Sequence, residues 1–357
     1  MLILSILSLI LGLQPLHDAG YKGQGVKVAV IDCGFYGAFN AGIFNQERII
    51  GSYDLLKQDS VHREGMFDNP SDNHGAHCLS LMLAQNDVFT GTAPEADYIL
   101  IRTEDLQYEY LGELDRLERG FQLAEELGAD IVTVSLGYTV FDGGTGNFTY
   151  EDMNGKSSVS KKATQLMHNN ILVCVAAGNE GNKPWYYIDI PADAEDILTV
   201  GATTADSLHA SFSGYGPTSD GRLKPEVAAW GEATQMVSLT NGTLSTGNGT
   251  SFATPEIAGM AACLRQALPH LTALQIRDII IRSASQYNNP DNLLGYGIPD
   301  AETALELGRQ LTTSVGNECL SDEQKRADTE VRKIFHKGRL YIIRGGVWYT
   351  PTGNKKG

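Results

Sequence analysis

The sequence predicts an α/β fold with a doubly wound, mostly parallel central sheet and helices on both of its faces. Five apolar runs have the length of buried strands, at residues 26–31, 98–102, 131–136, 172–176 and 198–200. Between the second and third of these runs, apolar residues recur at helical spacing from Leu114 to Leu127. Strands that are apolar on both faces and alternate with helices are typical of parallel sheets.

A serine stands where a helical pattern begins, near residue 250. Residues 249–255 read Gly-Thr-Ser-Phe-Ala-Thr-Pro, and apolar residues follow them at helical spacing. Pro255 fits a first helical turn, in which the missing N–H has no cost. The Ser251 hydroxyl would then lie at a helix N-terminus, where unpaired backbone N–H groups can stabilise an oxyanion. Taken alone, such a segment more commonly holds a serine that caps a helix.

Two further segments supply partners for this serine. Asp32 ends the first apolar run, and functional groups collect at the carboxyl ends of strands in parallel sheets. His74 is followed by glycine and an apolar helical pattern, so its ring can project from a first turn. A carboxylate, a general base and a nucleophile in the order Asp, His, Ser form one of the known chain orders of the catalytic triad. Asn179 follows the run at 172–176, and its side-chain N–H can donate to an oxyanion.

These segments resemble those of the subtilisin family of serine peptidases, the subtilases, over residues 12–311. Shorter matches to the family lie at residues 16–25, 135–137, 200–202, 211–213 and 295–297. The resemblance implies that Ser251 is the nucleophile, His74 the general base and Asp32 the carboxylate that orients it. It also implies an oxyanion hole formed by Asn179 and the backbone N–H of Ser251.

The resemblance further implies two substrate-binding segments. Ser135, Leu136 and Gly137 lie at a strand end and are expected to pair with the substrate main chain as an added strand. Asp189 is expected at or beside the floor of the primary specificity pocket, where a carboxylate favours Lys or Arg before the scissile bond. The alternative is that Asp189 points to solvent, because strand alternation would then turn its two isoleucine neighbours inward.

The predicted function is therefore a serine endopeptidase that acts through an acyl-enzyme. One alternative is a pseudoprotease or binding module that keeps the groove without turnover. A second alternative is a specialised processing protease that cuts one precursor, and the sequence does not separate it from a protease of broad specificity.

Composition narrows the range of partners. The chain has 357 residues and a formal net charge of −16, from 43 acidic and 27 basic residues. This charge argues against binding to nucleic acid and against binding to an anionic membrane surface, and it suits a monomer that acts on neutral or cationic peptides.

The five cysteines show no zinc spacing and no disulfide framework. Cys78 lies one helical turn after His74 and is expected beneath its ring, as in subtilases of the proteinase K type.

No organic cofactor is expected, and calcium binding is predicted to be weak. Residues 85–90 form a shortened segment in place of the calcium-binding loop of the type subtilisins. A calcium site needs six or more oxygen ligands, and Asn86 and Asp87 alone do not provide them.

The predicted domains are a peptidase domain at 1–311, a linker at 312–332 and a short β tail at 333–357. Residues 1–13 form an apolar run without a basic n-region, interpreted as a signal remnant or a mis-started N-terminus. The β tail resembles the degenerate sorting tails of secreted Bacteroidota proteins, and the alternative is a simple hairpin appendage. The family resemblance implies secretion or a place in the cell envelope.

Overall fold

The structure is a computed structural model. It describes residues 10–40, 42–56, 67, 69–105 and 109–311, together with the backbone of three strands near the C-terminus. The chain divides into two compact units, residues 1–306 and 307–357.

A seven-stranded parallel sheet forms the centre of the first unit. Its strands are β1 (Lys27–Asp32), β2 (Ile49–Asp54), β3 (Asp97–Arg102), β4 (Ile131–Val134), β5 (Leu172–Ala176), β6 (Leu198–Thr203) and β7 (Val227–Trp230). They lie in the order β2-β3-β1-β4-β5-β6-β7, and every pair of neighbours is parallel. Strands β4 to β7 are buried along their whole length, which explains their continuous apolar sequences.

Helices cover this sheet in two layers. The helices among the described residues are α1 (Gln14–Asp18), α2 (His74–Leu83), α3 (Gly112–Glu126), α4 (Ser158–His168), α5 (Thr250–Ala267), α6 (Ala273–Arg282) and α7 (301–311). Gly120 of α3 contacts the side chain of Ile31, whereas Gly75 of α2 contacts that of Asp32. Successive residues of a strand point to opposite faces, so α2 and α3 lie on opposite faces of β1. The predicted fold class is confirmed.

The predicted strands are all present, with ends that differ by a few residues. Two strands of the sheet, β2 and β7, were not predicted. Strand β2 is an edge strand that mixes buried, half-buried and exposed residues, and β7 is the opposite edge strand and has only four residues. The predicted strand at 131–136 ends at Val134, so the segment Ser135–Gly137 continues from the sheet without belonging to it. An antiparallel hairpin of β8 (Thr234–Val237) and β9 (Leu244–Gly247) leads into α5.

The structure describes the last part of the apolar run at the N-terminus. Leu11 and Leu13 are fully buried, so the last part of the apolar run at 1–13 belongs to the folded unit. No helix among the described residues is both long enough and apolar enough to cross a membrane.

In the second unit, three strands form an antiparallel sheet: β10 (Arg332–His336), β11 (Arg339–Arg344) and β12 (Val347–Tyr349). The predicted linker falls almost wholly outside the described residues, since nothing is described from 312 to 331.

Candidate active site

Asp32 and His74 form a hydrogen-bonded pair at the carboxyl edge of the sheet. Asp32 is the last residue of β1 and is fully buried, and His74 is the first residue of α2. The distance from His74 Nδ1 to Asp32 Oδ1 is 2.7 Å. The helix can approach so closely because Gly75 has no side chain, since a Cβ there would lie 2.7 Å from Asp32 Cβ. The pairing uses Nδ1 and leaves Nε2 available for proton transfer.

The carboxylate favours the charged form of this histidine. Burial alone would lower the pKa of His74, but the charge of Asp32 and its hydrogen bond outweigh burial and raise the pKa well above 6.5. Oδ1 of Asp32 also accepts hydrogen bonds from the backbone N–H of Cys33 at 2.8 Å and from its thiol at 3.3 Å. A general base must be neutral to accept a proton, so activity that depends on His74 should increase with pH.

Ser251 is the second residue of α5, and its carbonyl group ties the helix to two other elements. Pro255 is the sixth residue of the helix, so the expectation that it lies in the first turn is wrong. Proline has no N–H to donate to the carbonyl four residues earlier, which is that of Ser251. This carbonyl instead accepts from the Ser135 hydroxyl at 2.9 Å and from the Cys78 thiol at 3.3 Å. The proline therefore frees an acceptor that joins α5 to α2 and to the end of β4.

The Ser251 hydroxyl donates to the Ser135 carbonyl oxygen at 3.3 Å. Within the part of the chain that the structure describes, it forms no hydrogen bond with His74. A rotation about the Ser251 Cα–Cβ bond would turn the hydroxyl away from Ser135. In free enzymes such catalytic hydrogen bonds are often long and shorten only when substrate binds.

Asn179 and the Ser251 N–H flank an open space. The Asn179 side-chain oxygen accepts from the Thr250 N–H at 2.9 Å and from the Thr250 hydroxyl at 3.2 Å, which fixes the amide group. Its Nδ2 forms no hydrogen bond with any described residue. Apart from the adjacent residues of the chain, the nearest neighbours of a Cβ placed on Gly249 would be Ser251 N at 3.6 Å, Ser251 Cβ at 3.7 Å and Asn179 Nδ2 at 3.8 Å. The glycine thus leaves room for an oxyanion near both donors.

Asp189 lies between the segments that follow β4 and β5. Its backbone N–H donates to the Ala177 carbonyl at 3.0 Å. A Cβ on Gly137 would lie 3.0 Å from Asp189 Oδ2, and one on Gly178 would lie 2.2 Å from the same oxygen. The alternative that Asp189 points to solvent is wrong, because the residue is only 6 % exposed. Strand alternation does not apply here, since Ile188 is buried as well.

The Asp189 carboxylate has no partner of its own. The structure gives it no hydrogen bond or ion pair with any residue it describes, and Oδ1 is buried without a partner. Burial raises the pKa of Asp189 well above its usual value, and the charge of Glu180 adds to the shift. A cation brought to this carboxylate would relieve the cost of burying it.

The segment Ser135–Gly137 presents a free main-chain edge beside Ser251. Leu136 and Gly137 form no main-chain hydrogen bond with other described residues, whereas Tyr138 pairs with Ile190 in both directions. An extended peptide can use such an edge as a neighbouring strand.

The segment expected to bind calcium weakly closes on itself. Gln85 and Thr90 form an antiparallel bridge, and the Asn86 side-chain oxygen accepts from the N–H groups of Val88 and Phe89, both at 3.0 Å. This oxygen is therefore used within the loop. Low calcium affinity stays a prediction.

Four of the five cysteines are described, and all four are free and buried: Cys33, Cys78, Cys174 and Cys263. Cys78 lies as expected, with its sulfur 3.9 Å from His74 Nδ1. Two features of the site were missed by sequence reasoning, namely the Thr250 contacts that orient Asn179 and the buried ion pairs of Arg102. The only sequence signal for the latter was a charged residue at the end of an otherwise apolar strand.

Known proteins share this architecture and these segments. The model of the subtilase family, Peptidase_S8, matches residues 23–297. The serine protease AprX of Bacillus subtilis is 29% identical over 315 residues, which cover 79% of this chain and 66% of AprX. Subtilisin DY of Bacillus licheniformis is 26% identical over 290 residues, covering 80% of this chain and 93% of that protein. The structure of the Clostridium perfringens CspB protease matches with a TM-score of 0.71 and 17% identity, over 84% of this chain and 98% of that one. The fold, the ordered segments and the extent of the family match together show that this chain belongs to the subtilase family of serine peptidases.

Proposed function

We propose that Asp32, His74 and Ser251 are the catalytic triad of a serine endopeptidase, with Asn179 in its oxyanion hole. The observation that carries this proposal is the hydrogen bond between His74 and Asp32 beside a serine at the start of α5. A fixed amide near the same serine supplies the fourth group.

The reaction follows from these positions. Ser251 Oγ attacks the peptide carbonyl carbon while its proton passes to His74 Nε2, and Asp32 stabilises the imidazolium that forms. The carbonyl oxygen becomes an oxyanion, to which Asn179 Nδ2 and the Ser251 N–H donate. His74 then gives the proton to the leaving amine, which leaves an acyl-enzyme. Water attacks that ester by the same steps and regenerates the serine.

Turnover of casein by Ser251→Ala tests the proposal. This substitution removes the nucleophile but little volume, so we expect folded protein with only background hydrolysis. Ser283→Ala is a matched control, since Ser283 is also buried and its hydroxyl bonds to a helix carbonyl at 2.8 Å. Wild-type turnover by Ser251→Ala would refute the mechanism, and an inactive wild type would favour the pseudoprotease alternative.

We further propose that Asp189 selects Lys or Arg at the residue before the scissile bond. Gly137 belongs to the segment expected to bind the substrate main chain, and Gly178 precedes Asn179. The carboxylate between these glycines therefore lies beside the peptide that Ser251 would attack. It is buried and unpaired, whereas the nearby Glu180 already has an ion pair with Lys183 at 2.8 Å.

We propose a protein or peptide substrate, action as a monomer, and secretion or a place in the cell envelope. The acidic composition and the family support these statements. A sorting role for the β tail stays a prediction.

A further inference from the structure

Arg102 is a buried cation that the catalytic steps do not use. It ends β3, and its side chain is 9% exposed. Nε donates to the Cys33 carbonyl oxygen at 2.9 Å, Nη2 donates to Asp72 Oδ2 at 2.8 Å, and Nη1 lies 3.6 Å from Asp54 Oδ2. These acceptors belong to three separate segments: the turn after β1, the approach to α2 and the end of β2.

Two of the three segments carry the candidate catalytic pair. Cys33 directly follows Asp32, and Asp72 lies two residues before His74. The Asp72 backbone is itself fixed on the turn after β1, because its carbonyl accepts from the Tyr36 N–H at 2.9 Å. A Cβ on Gly34 would lie 2.6 Å from the Asp72 Cβ, so the two segments are in close contact.

We propose that Arg102 is a positioning residue that holds His74 against Asp32 by joining the turn after β1 to the approach to α2. The inference rests on the proposed triad. A guanidinium suits this task because its planar array of donors can serve several acceptors in fixed directions at once. A lysine ammonium offers one point charge and cannot reproduce the arrangement.

The consequence of losing Arg102 follows from the charges that remain. Asp54 and Asp72 are both buried, and without the guanidinium each lacks its cation. Repulsion between the two carboxylates, and their need for hydration, would displace the residues that lead into α2. The 2.7 Å contact between His74 and Asp32 would then lengthen. The contacts of Arg102 described above lie outside the segments that follow β4 and β5, so substrate binding should be preserved.

Arg102→Met tests the proposal against a matched control, Arg277→Met. Arg277, which lies in α6, has the same kind of contacts: Nε donates to the Ile197 carbonyl at 2.9 Å, and Nη2 to Glu226 at 3.2 Å. Enzyme concentrations are set by titrating reactive Ser251, and kcat and KM are measured from pH 5 to 10 with one chromogenic peptide.

We expect Arg102→Met to lower kcat about 10–100-fold, the scale of an ångström-size misplacement, with KM within about twofold. A weaker contact with Asp32 also lowers the pKa of His74, so the acid limb of the pH profile should move to lower pH. The other titratable groups near the His74–Asp32 pair are Cys33, Cys78, His77 and Glu104, whose pKa burial raises to about 8, and all variants keep them. Arg102→Lys should recover only part of kcat, and Arg277→Met should change neither kcat nor the acid limb.

If Arg102→Met does not fold, Asp72→Ala carries the test, because it removes the link at the other end and should give the same loss and shift. Asp72→Asn keeps an oxygen acceptor and should stay near wild type. The proposal is overturned if the folded variants Arg102→Met or Asp72→Ala match Arg277→Met in kcat and acid limb. If the proposed triad is wrong, this would show separately, as wild-type turnover by Ser251→Ala.

Discussion

Replacing Asp189 with serine removes a buried carboxylate from between Gly137 and Gly178 and leaves the candidate triad unchanged. If this carboxylate binds the cation of the residue before the scissile bond, the variant loses a charge-assisted pair in a site sheltered from water. Such a bond contributes about 1.5–3 kcal/mol. Since about 1.4 kcal/mol corresponds to a tenfold change, kcat/KM for an arginine substrate should fall about 10–150-fold.

The assay compares three peptides that differ only at that position, with Arg, Leu or Phe. The wild type should prefer Arg, and Asp189→Ser should lose the preference while it cleaves the Leu peptide at least as well. Glu180→Gln is the control, because Glu180 is already paired with Lys183 and its loss should change the Arg-to-Leu ratio less than about threefold.

The pH dependence gives a second test of the same residue. Burial raises the pKa of Asp189 in the free enzyme, so the carboxylate is protonated over a wider pH range than usual. A cationic substrate binds the ionised form, and the Arg-to-Leu ratio of the wild type should therefore rise with pH until Asp189 is ionised. The ratio should be flat in Asp189→Ser. A wild type that prefers Leu or Phe, or an Arg preference that survives the substitution, would refute the reasoning.

Three further predictions concern other groups. A small mercurial should inhibit the wild type by displacing His74, because the Cys78 sulfur lies 3.9 Å from its Nδ1; equal inhibition of Cys78→Ala, with Cys33→Ser tested beside it, would place the target elsewhere. Millimolar chelator should change activity and melting temperature only slightly, since the Asn86 side-chain oxygen is used within its loop. A large drop in melting temperature that calcium restores would reveal a calcium site that this loop does not account for. Burial raises the pKa of Glu256 well above its usual value, although a backbone hydrogen bond with Trp230 opposes the shift. The folded state therefore holds this proton more tightly than the unfolded state, and stability is lost as pH rises above about 4.5. The unfolding free energy of Glu256→Gln should therefore rise relative to that of the wild type as pH increases above about 4.5, by at most about 1.4 kcal/mol per pH unit, and a constant difference between pH 5 and 8 would contradict this.

Five of the seven parallel strands could be predicted from sequence because they are largely buried and so appear as continuous apolar runs, whereas β7 is buried but has only four residues and was missed. The run at 172–176 has the same bounds as β5. Strand β2 escaped prediction because an edge position leaves Ile50 half exposed and breaks the apolar run. Local sequence carries little signal where a strand is only partly covered.

The residues of the candidate site could be found because each stands at the end of an element, next to a glycine or a buried strand. The contacts that these residues make with one another could not be predicted in this way. The freed Ser251 carbonyl binds groups 116 and 173 residues away along the chain, and only the folded structure brings Ser135 and Cys78 to it. The position of Asp189 likewise depends on two flanking glycines, one in the segment after β4 and one in the segment after β5, which strand alternation within its own segment does not capture.

The central claim is that Ser251 is a nucleophile activated by His74 and Asp32. Mass spectrometry of the protein after reaction with a fluorophosphonate tests it most directly. The wild type should gain one adduct, and peptide mapping should place it on Ser251, whereas His74→Ala should react far more slowly and Ser251→Ala not at all. A folded wild type that gains no adduct, or an adduct on another residue that persists in Ser251→Ala, would contradict the account.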